Sequence, residues 1–262
     1  MRNLDAIIKA YDVRGTYPDQ LDEDLAHAVG AAFVRVVGAA ARDGGPEAVV
    51  VAHDMRPSGP SLVASFAEGV REQGCDVVLI GLASTDGLYF ASGHLNLPGA
   101  MFTASHNPAQ YNGIKLCRPG AAPVGQDSGL REIREMVESG VPAFGGPLGE
   151  VREQDLLADY AAFLRQLVDV SAIRPLRLVV DAGNGMGGYT APAVLGDAAG
   201  LPPLPLTVEP LYFELDGTFP NHEANPIDPE NLRDLQAAVV EHHADLGLAF
   251  DGDADRCFLV DE

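Results

Sequence analysis

The sequence predicts an α/β protein of two consecutive domains, each a largely buried sheet covered by helices. Short apolar runs of strand length, at residues 48–52, 76–80, 176–180 and 246–250, alternate with longer segments whose apolar residues recur at helical spacing. At 262 residues the chain is long enough for about two domains of ordinary size. The stretch 140–149 holds two prolines and four glycines and is the best linker, so the expected domains are 1–145 and 146–262.

Taken in order, Ile7 and Ile8 lead into a strand, Tyr11-Asp12-Val13-Arg14-Gly15, closed by a glycine turn. Residues 22–42 form a helix, with acids in its first turn and Leu25, Val29, Phe33 and Val36 on one face. The continuous apolar run 48–52 is a strand buried on both faces. Asp54-Met55-Arg56-Pro57-Ser58-Gly59-Pro60 turns the chain into a second helix, which Gly74 ends. His53, Asp54 and Arg56 read as a structural ion-pair group at that helix entrance. A strand at 76–80, a short helix at 85–94 and a strand at Gly99-Ala100-Met101-Phe102 follow, then, after a short loop, Gly113-Ile114-Lys115 and a polar-faced helix at 127–139.

The second domain opens with a helix over 151–170, carrying Leu156, Tyr160, Phe163, Leu164 and Leu167. A strand at 176–180 runs into Asp181-Ala182-Gly183-Asn184-Gly185-Met186-Gly187-Gly188. A dinucleotide cradle needs G-x-G-x-x-G, whereas these glycines stand at 183, 185, 187 and 188, so the reading is a tight strand-to-helix turn. A proline-rich passage over 201–210 leads to a segment at 219–226 in which His222 is read as structural. The helix 229–243 returns the chain to the strand 246–250.

Two stretches carry chemistry. Thr103-Ala104-Ser105-His106-Asn107-Pro108 follows an apolar strand, which places the Ser105 hydroxyl at a sheet edge; Pro108 and Asn107 stiffen the loop. A serine hydroxyl is a weak nucleophile until a base, a lowered pKa or a metal activates it. The second stretch, Asp251-Gly252-Asp253-Ala254-Asp255-Arg256, spaces three carboxylates at alternate positions between an apolar strand and Cys257-Phe258-Leu259-Val260. Oxygen-only ligands without a His or Cys cluster favour Mg2+ over Zn2+.

Hydrophobic residues make up 47% of the chain and charged residues 21%, the balance of a soluble globular protein. No run reaches the roughly 18 apolar residues of a membrane helix, and the N-terminus has no signal-peptide core, so the expected location is cytoplasmic. Cys75, Cys117 and Cys257 are widely spaced and imply no disulfide framework. A net charge of −21 argues against nucleic acid and anionic membrane as partners. Of 17 basic residues only Lys9 and Lys115 are lysines; a lysine beside the serine loop, unlike arginine, is able to give up a proton.

Ala10-Tyr11-Asp12-Val13-Arg14-Gly15, Thr103–Pro108 and Asp251–Arg256, in this order along the chain, resemble the α-D-phosphohexomutase superfamily and within it the phosphomannomutase/phosphoglucomutase group. The resemblance implies two three-layer α/β/α domains with mixed sheets, the first half of a four-domain phosphohexomutase. It implies that Ser105 carries a phosphoryl group, that Asp251, Asp253 and Asp255 hold Mg2+ together with the Ser105 phosphate, and that the phosphoryl passes to a phosphorylated hexose. A hexose 1,6-bisphosphate serves as activator and intermediate, and mannose or glucose 1- and 6-phosphates interconvert. Tyr11, Arg14, Asn107 and Arg256 are expected to bind substrate or phosphate, and Arg14 to lie near the phosphorylated serine. Lys115 or His106 transfers the proton; both are close in sequence to Ser105 and titrate at useful pH when perturbed. Two further domains, for sugar recognition and for the distant phosphate, are expected from the full-length chain, so the 262 residues alone should lack mutase activity. The rivals are a glucosamine-phosphate mutase, disfavoured by Tyr11-Asp12-Val13 where those relatives carry a Thr-Asp-Gly type run, a Mg-dependent phosphatase with an aspartate nucleophile, and a noncatalytic phosphate-sensing module.

Overall fold

The computed structural model describes residues 3–39 and 48–261. It opens with a short helix α1 (Leu4–Ile7), and the strand expected at 11–15 follows as β1 (Val13–Thr16). Gly15 lies inside β1 opposite Asn112 rather than in a turn, and a Cβ there would stand 2.7 Å from Gln20 Cβ. Helix α2 (Glu23–Val36) starts where the Asp22 carboxylate caps the Leu25 N–H at 3.0 Å, and it ends at Val36 with a turn at 37–38, short of the expected Arg42; residues 40–42 lie outside those described. Then come β2 (Ala48–His53), α3 (Gly59–Arg71), β3 (Asp76–Leu82), α4 (Thr85–Leu95), β4 (Gly99–Phe102), β5 (Tyr111–Arg118), β6 (Ala122–Pro123), α5 (Leu130–Ser139) and β7 (Val151–Glu153).

These strands form one mixed sheet in the order β1-β5-β4-β2-β3-β7, with β6 paired to β5. The pairs β2–β3, β2–β4 and β3–β7 are parallel, whereas β5 runs antiparallel to β1 and β4. Two features depart from the sequence reading. Lys115, to which the sequence assigns no element, lies in the middle of the unforeseen strand β5, opposite Met101. Val151 does not start a helix: residues 151–153 extend the first sheet beside β3, and the 140–149 passage is tied to the same unit by the Gly149 N–H bond to Arg71 O.

The core of this unit packs α2 and α3 against the sheet, with Phe33, Phe66 and Phe102 in a row, ring centroids 6.1 and 5.4 Å apart. The helices cross at backbone distance. A Cβ at Gly30 would stand 2.3 Å from Phe66 O, and one at Gly69 would stand 2.1 Å from His27 O. The group read as structural is so placed: Arg56 and Asp54 are fully buried, Arg56 Nε stands 3.3 Å from Asp54 Oδ2, and Arg56 donates 2.9 Å to the Tyr111 carbonyl.

The chain divides into two compact units. The first holds Met1–Leu82, Leu88–Ala104 and Gln110–Asp155, and the second holds Leu156–Glu262 with two short pieces, Ala83–Gly87 and Ser105–Ala109. The second unit is built from α6 (Leu157–Leu167), β8 (Leu176–Asp181), α7 (Gly187–Val194), β9 (Leu206–Leu211), α8 (Arg233–Glu241), β10 (Leu246–Phe250) and β11 (Cys257–Val260). Its sheet, β11-β10-β8-β9, is also mixed: β10 is parallel to β8 and antiparallel to β11. The proline-rich passage contributes the edge strand β9, where Pro210 needs no outward donor. The fold class is therefore as expected, two α/β domains with mixed sheets. No helix among the described residues is long and apolar enough to cross a membrane.

Removing one partner of a buried ion pair leaves an uncompensated charge. Asp54→Ala should lower stability by about 3–5 kcal/mol, read as a lower urea midpoint by circular dichroism.

Candidate active site

The serine loop begins where β4 ends. Thr103 N–H donates 3.0 Å to Gly113 O, and the approach is so close that a Cβ at Gly113 would stand 2.7 Å from Thr103 O. Arg14 reaches the same strand end, donating 3.3 Å to Ala104 O and 2.5 Å to Asp12 Oδ2. Ser105 then takes a left-handed conformation, φ 51°, and is only 4% exposed. A non-glycine residue held there stores strain of order 1–3 kcal/mol, which the surrounding contacts must offset.

Those contacts lie in the second unit. The β10–β11 hairpin turns through 251–256, with Phe250 opposite Cys257 and Ala254 at φ 56°. Asp251 and Asp253 are fully buried, and Asp255 is partly exposed. Ser105 Oγ donates 2.9 Å to Asp251 Oδ2 and accepts 2.6 Å from an Arg256 guanidinium nitrogen. Arg256 also donates through Nε to Asp251 Oδ2 at 2.9 Å and through its backbone N–H to Oδ1 at 3.1 Å. The same guanidinium nitrogen that meets the serine stands 2.5 Å from His106 Nδ1. Arginine only donates, so Nδ1 accepts and the ring proton belongs on Nε2. Gly252 is forced by the meeting of the two loops, since a Cβ there would stand 2.4 Å from Ser105 O.

Asp251, Asp253 and Asp255 each offer a carboxylate oxygen, and these atoms lie within 4.8 Å of one another. Burial first, then the charges of Asp253 and Asp255, push the Asp251 carboxyl well above its usual range, against the opposing pull of Arg256 and the Ser105 hydroxyl. An all-oxygen donor set whose own charges repel fits a hard divalent cation.

The structure thus gathers Ser105, His106, Asp251, Asp253, Asp255 and Arg256 into one unit, with half-buried Asn107 on the same short piece of chain. Tyr11, Arg14 and Lys115 belong to the first unit: Tyr11 is 85% exposed, and Lys115 is half-buried in β5. Sequence reasoning missed Thr85. Its hydroxyl donates 2.6 Å to Asp253 Oδ2 and its N–H donates 3.1 Å to Asp253 O. The only signal was its place at the head of a helix.

His222 is held by Asp181. Nε2 meets Asp181 Oδ2 at 3.0 Å and Nδ1 meets Glu223 O at 2.9 Å. Both partners are acceptors, so both ring nitrogens donate, and the bond to Asp181 is the main cause of a raised His222 pKa, partly opposed by burial. A raised folded-state value means that the contribution is complete below the unfolded value of about 6.5 and is lost as pH climbs above it through the raised folded-state value. Unfolding by urea should show wild type ahead of His222→Ala by about 1.5–3 kcal/mol at pH 5.5, with the gap narrowing by pH 9.

Comparison with known proteins accords with this arrangement. The family described as phosphoglucomutase/phosphomannomutase, alpha/beta/alpha domain I, matches residues 5–142, and its domain II matches residues 158–262. The chain is 43% identical over 254 residues to a protein named phosphohexose mutases from Xanthomonas campestris pv. campestris, covering 97% of this chain and 54% of that one. It is 40% identical over 265 residues to a phosphomannomutase of Salmonella montevideo, covering 100% of this chain and 56% of the other. The crystal structure of a phosphoglucomutase/phosphomannomutase family protein from Burkholderia thailandensis is similar at TM-score 0.84 and 36% identity, over 100% of this chain and 55% of that chain. The chain spans about half the length of the curated relatives it matches. With both domain descriptions matched in order over most of its length, the chain belongs to the phosphoglucomutase/phosphomannomutase family.

Proposed function

We propose that this chain is the phosphoserine and metal-binding half of a phosphohexomutase, interconverting hexose 1-phosphate and hexose 6-phosphate of mannose, glucose or both. The observation that carries this reading is the convergence of a strained, buried Ser105 hydroxyl on Asp251 and Arg256. The names of relatives, phosphomannomutase and phosphohexose mutases, support the substrate class.

Asp251, Asp253 and Asp255 would hold Mg2+, which when bound neutralises charge on the phosphoryl oxygens. In the reaction the bond between phosphorus and Ser105 Oγ breaks as a bond from phosphorus to a sugar hydroxyl oxygen forms. The hydroxyl proton goes to a base, and the hexose 1,6-bisphosphate so formed returns its other phosphoryl group to Ser105. Such a transfer asks the protein for alignment and cations more than for covalent chemistry. Arg256 stands on the serine oxygen itself, and Arg14 braces the carbonyl of the residue before it. For the proton we favour Lys115, because Nδ1 of His106 accepts from Arg256; His106 is the alternative once that bond opens and frees a ring nitrogen. Tyr11 and Asn107 complete the proposed phosphate and sugar contacts. An aspartate-nucleophile phosphatase fits less well, because Asp251 Oδ2 already receives both Ser105 and Arg256.

Peptide mass analysis of freshly purified protein should place a phosphate on Ser105 and none in Ser105→Ala; phosphate found only on an aspartate would sink the scheme. In a full-length enzyme, Lys115→Arg keeps the charge but loses the transferable proton. Its kcat should fall by about 10²–10⁴-fold with little change in KM, and an unchanged rate would move the proton to His106. The 262-residue chain by itself should show negligible interconversion, since the groups gripping the distant phosphate of the substrate lie, on this reading, elsewhere.

A further inference from the structure

Two stretches singled out in the sequence have no part in the scheme above: the glycine turn after β8 and the 219–226 segment with His222. The structure joins them, and it joins both to the aspartate loop within one unit. Asp181 stands at the end of β8, paired with Ala249 of β10, two residues before Asp251. One Asp181 oxygen accepts the Gly183 N–H at 2.8 Å, and the other takes His222 Nε2 at 3.0 Å. Next along the segment, Asn221 Nδ2 donates 2.8 Å to Asn184 Oδ1, and Asn184 Nδ2 donates 2.9 Å to Glu214 O. Gly183 and Asn184, at φ 52° and 58°, are therefore clamped from the side by 221–222.

The clamped turn presses on the metal loop. Met186 N–H donates 2.9 Å to Gly252 O, the carbonyl between Asp251 and Asp253, and Met186 is fully buried. Gly185 lies so close that a Cβ would stand 2.7 Å from that same carbonyl oxygen. The Gly252 peptide is thus held between Ser105 on one side and the turn on the other. Its position fixes where the Asp251 and Asp253 side chains leave the backbone.

We infer that Asp181, His222 and Asn221 are positioning residues that set the cation affinity of the Asp251, Asp253 and Asp255 loop, acting through the glycine turn and the Gly252 peptide. The inference rests on the proposed metal-binding role of that loop. Groups behind the ligands commonly change metal affinity by about tenfold or more when removed. Here the lever is a backbone peptide shared by two ligands.

The test is calorimetric titration of the 262-residue chain with Mg2+ alone, on folded protein checked by circular dichroism. His222→Ala should weaken binding about tenfold, Asn221→Ala should weaken it by a smaller factor, and His222→Gln, which keeps a donor for Asp181, should recover part of the loss. Wild-type affinity in both alanine variants overturns the inference, even if their urea midpoints fall, since a merely structural role would lower stability alone. If His222→Ala does not fold, Asn221→Ala decides by the same criterion. Asp253→Asn separates the two levels: Mg2+ affinity unchanged in that variant removes the metal site itself and this inference with it, whereas a loss there beside unchanged His222 and Asn221 variants removes only the positioning role.

Discussion

Three carboxylates held within 4.8 Å of one another repel, and the rest of the second unit is arranged to keep them there. Two of the three are withdrawn from water, where their repulsion is least screened. Arg256 offsets part of it, bonding Asp251 through Nε and through its own backbone N–H. Thr85 grips Asp253 by hydroxyl and N–H, and the glycine turn grips the peptide between the two aspartates. A loop with this much internal opposition would relax outward without such bracing. The bracing comes from parts of the chain that are 66 to 168 residues away, Met186 and Thr85 among them, so the site exists only as a product of the folded unit.

The serine belongs to the same balance. Its hydroxyl satisfies one Asp251 oxygen, and the Arg256 nitrogen that it accepts from is the one facing His106. The strain of its left-handed backbone is offset within the second unit, where Asp251 and Arg256 both hold its hydroxyl. A flexible loop could carry the same residues but would not hold an oxygen at a fixed place, and fixed placement is what the proposed phosphoryl transfer requires.

Much of this was legible in the sequence, and the failures have identifiable causes. Strands built on apolar runs, such as 48–52 within β2 and Leu246–Phe250, announced themselves, as did the aspartate loop that follows β10. Strand β5 did not, because Asn112, Gly113 and Lys115 interrupt its apolar pattern; Gly113 is there to let two carbonyls approach, which no periodicity reveals. Strand β9 was hidden by Pro210, which is tolerated only because the strand is an edge. Strand β7 is three exposed residues long, and it pairs with a strand about 75 residues earlier; nothing local marks it. Thr85 and the Asp181–His222 pair share that character. Each joins residues far apart in the chain, and the side chains involved are of types that cap or solvate elsewhere.

The crossing of α2 and α3 at Gly30 and Gly69 has a consequence for how this domain can change over evolutionary time. Elsewhere in the core a lost methyl group can be replaced by a neighbour growing larger, so composition can drift while volume is kept. At these two positions the obstacle facing a new side chain is a carbonyl oxygen of the opposite helix, not another side chain. No second substitution can shrink a carbonyl. A methyl group at either position can be admitted only by moving one helix bodily, so the first unit is free to vary in its filling and fixed in the spacing of its two principal helices.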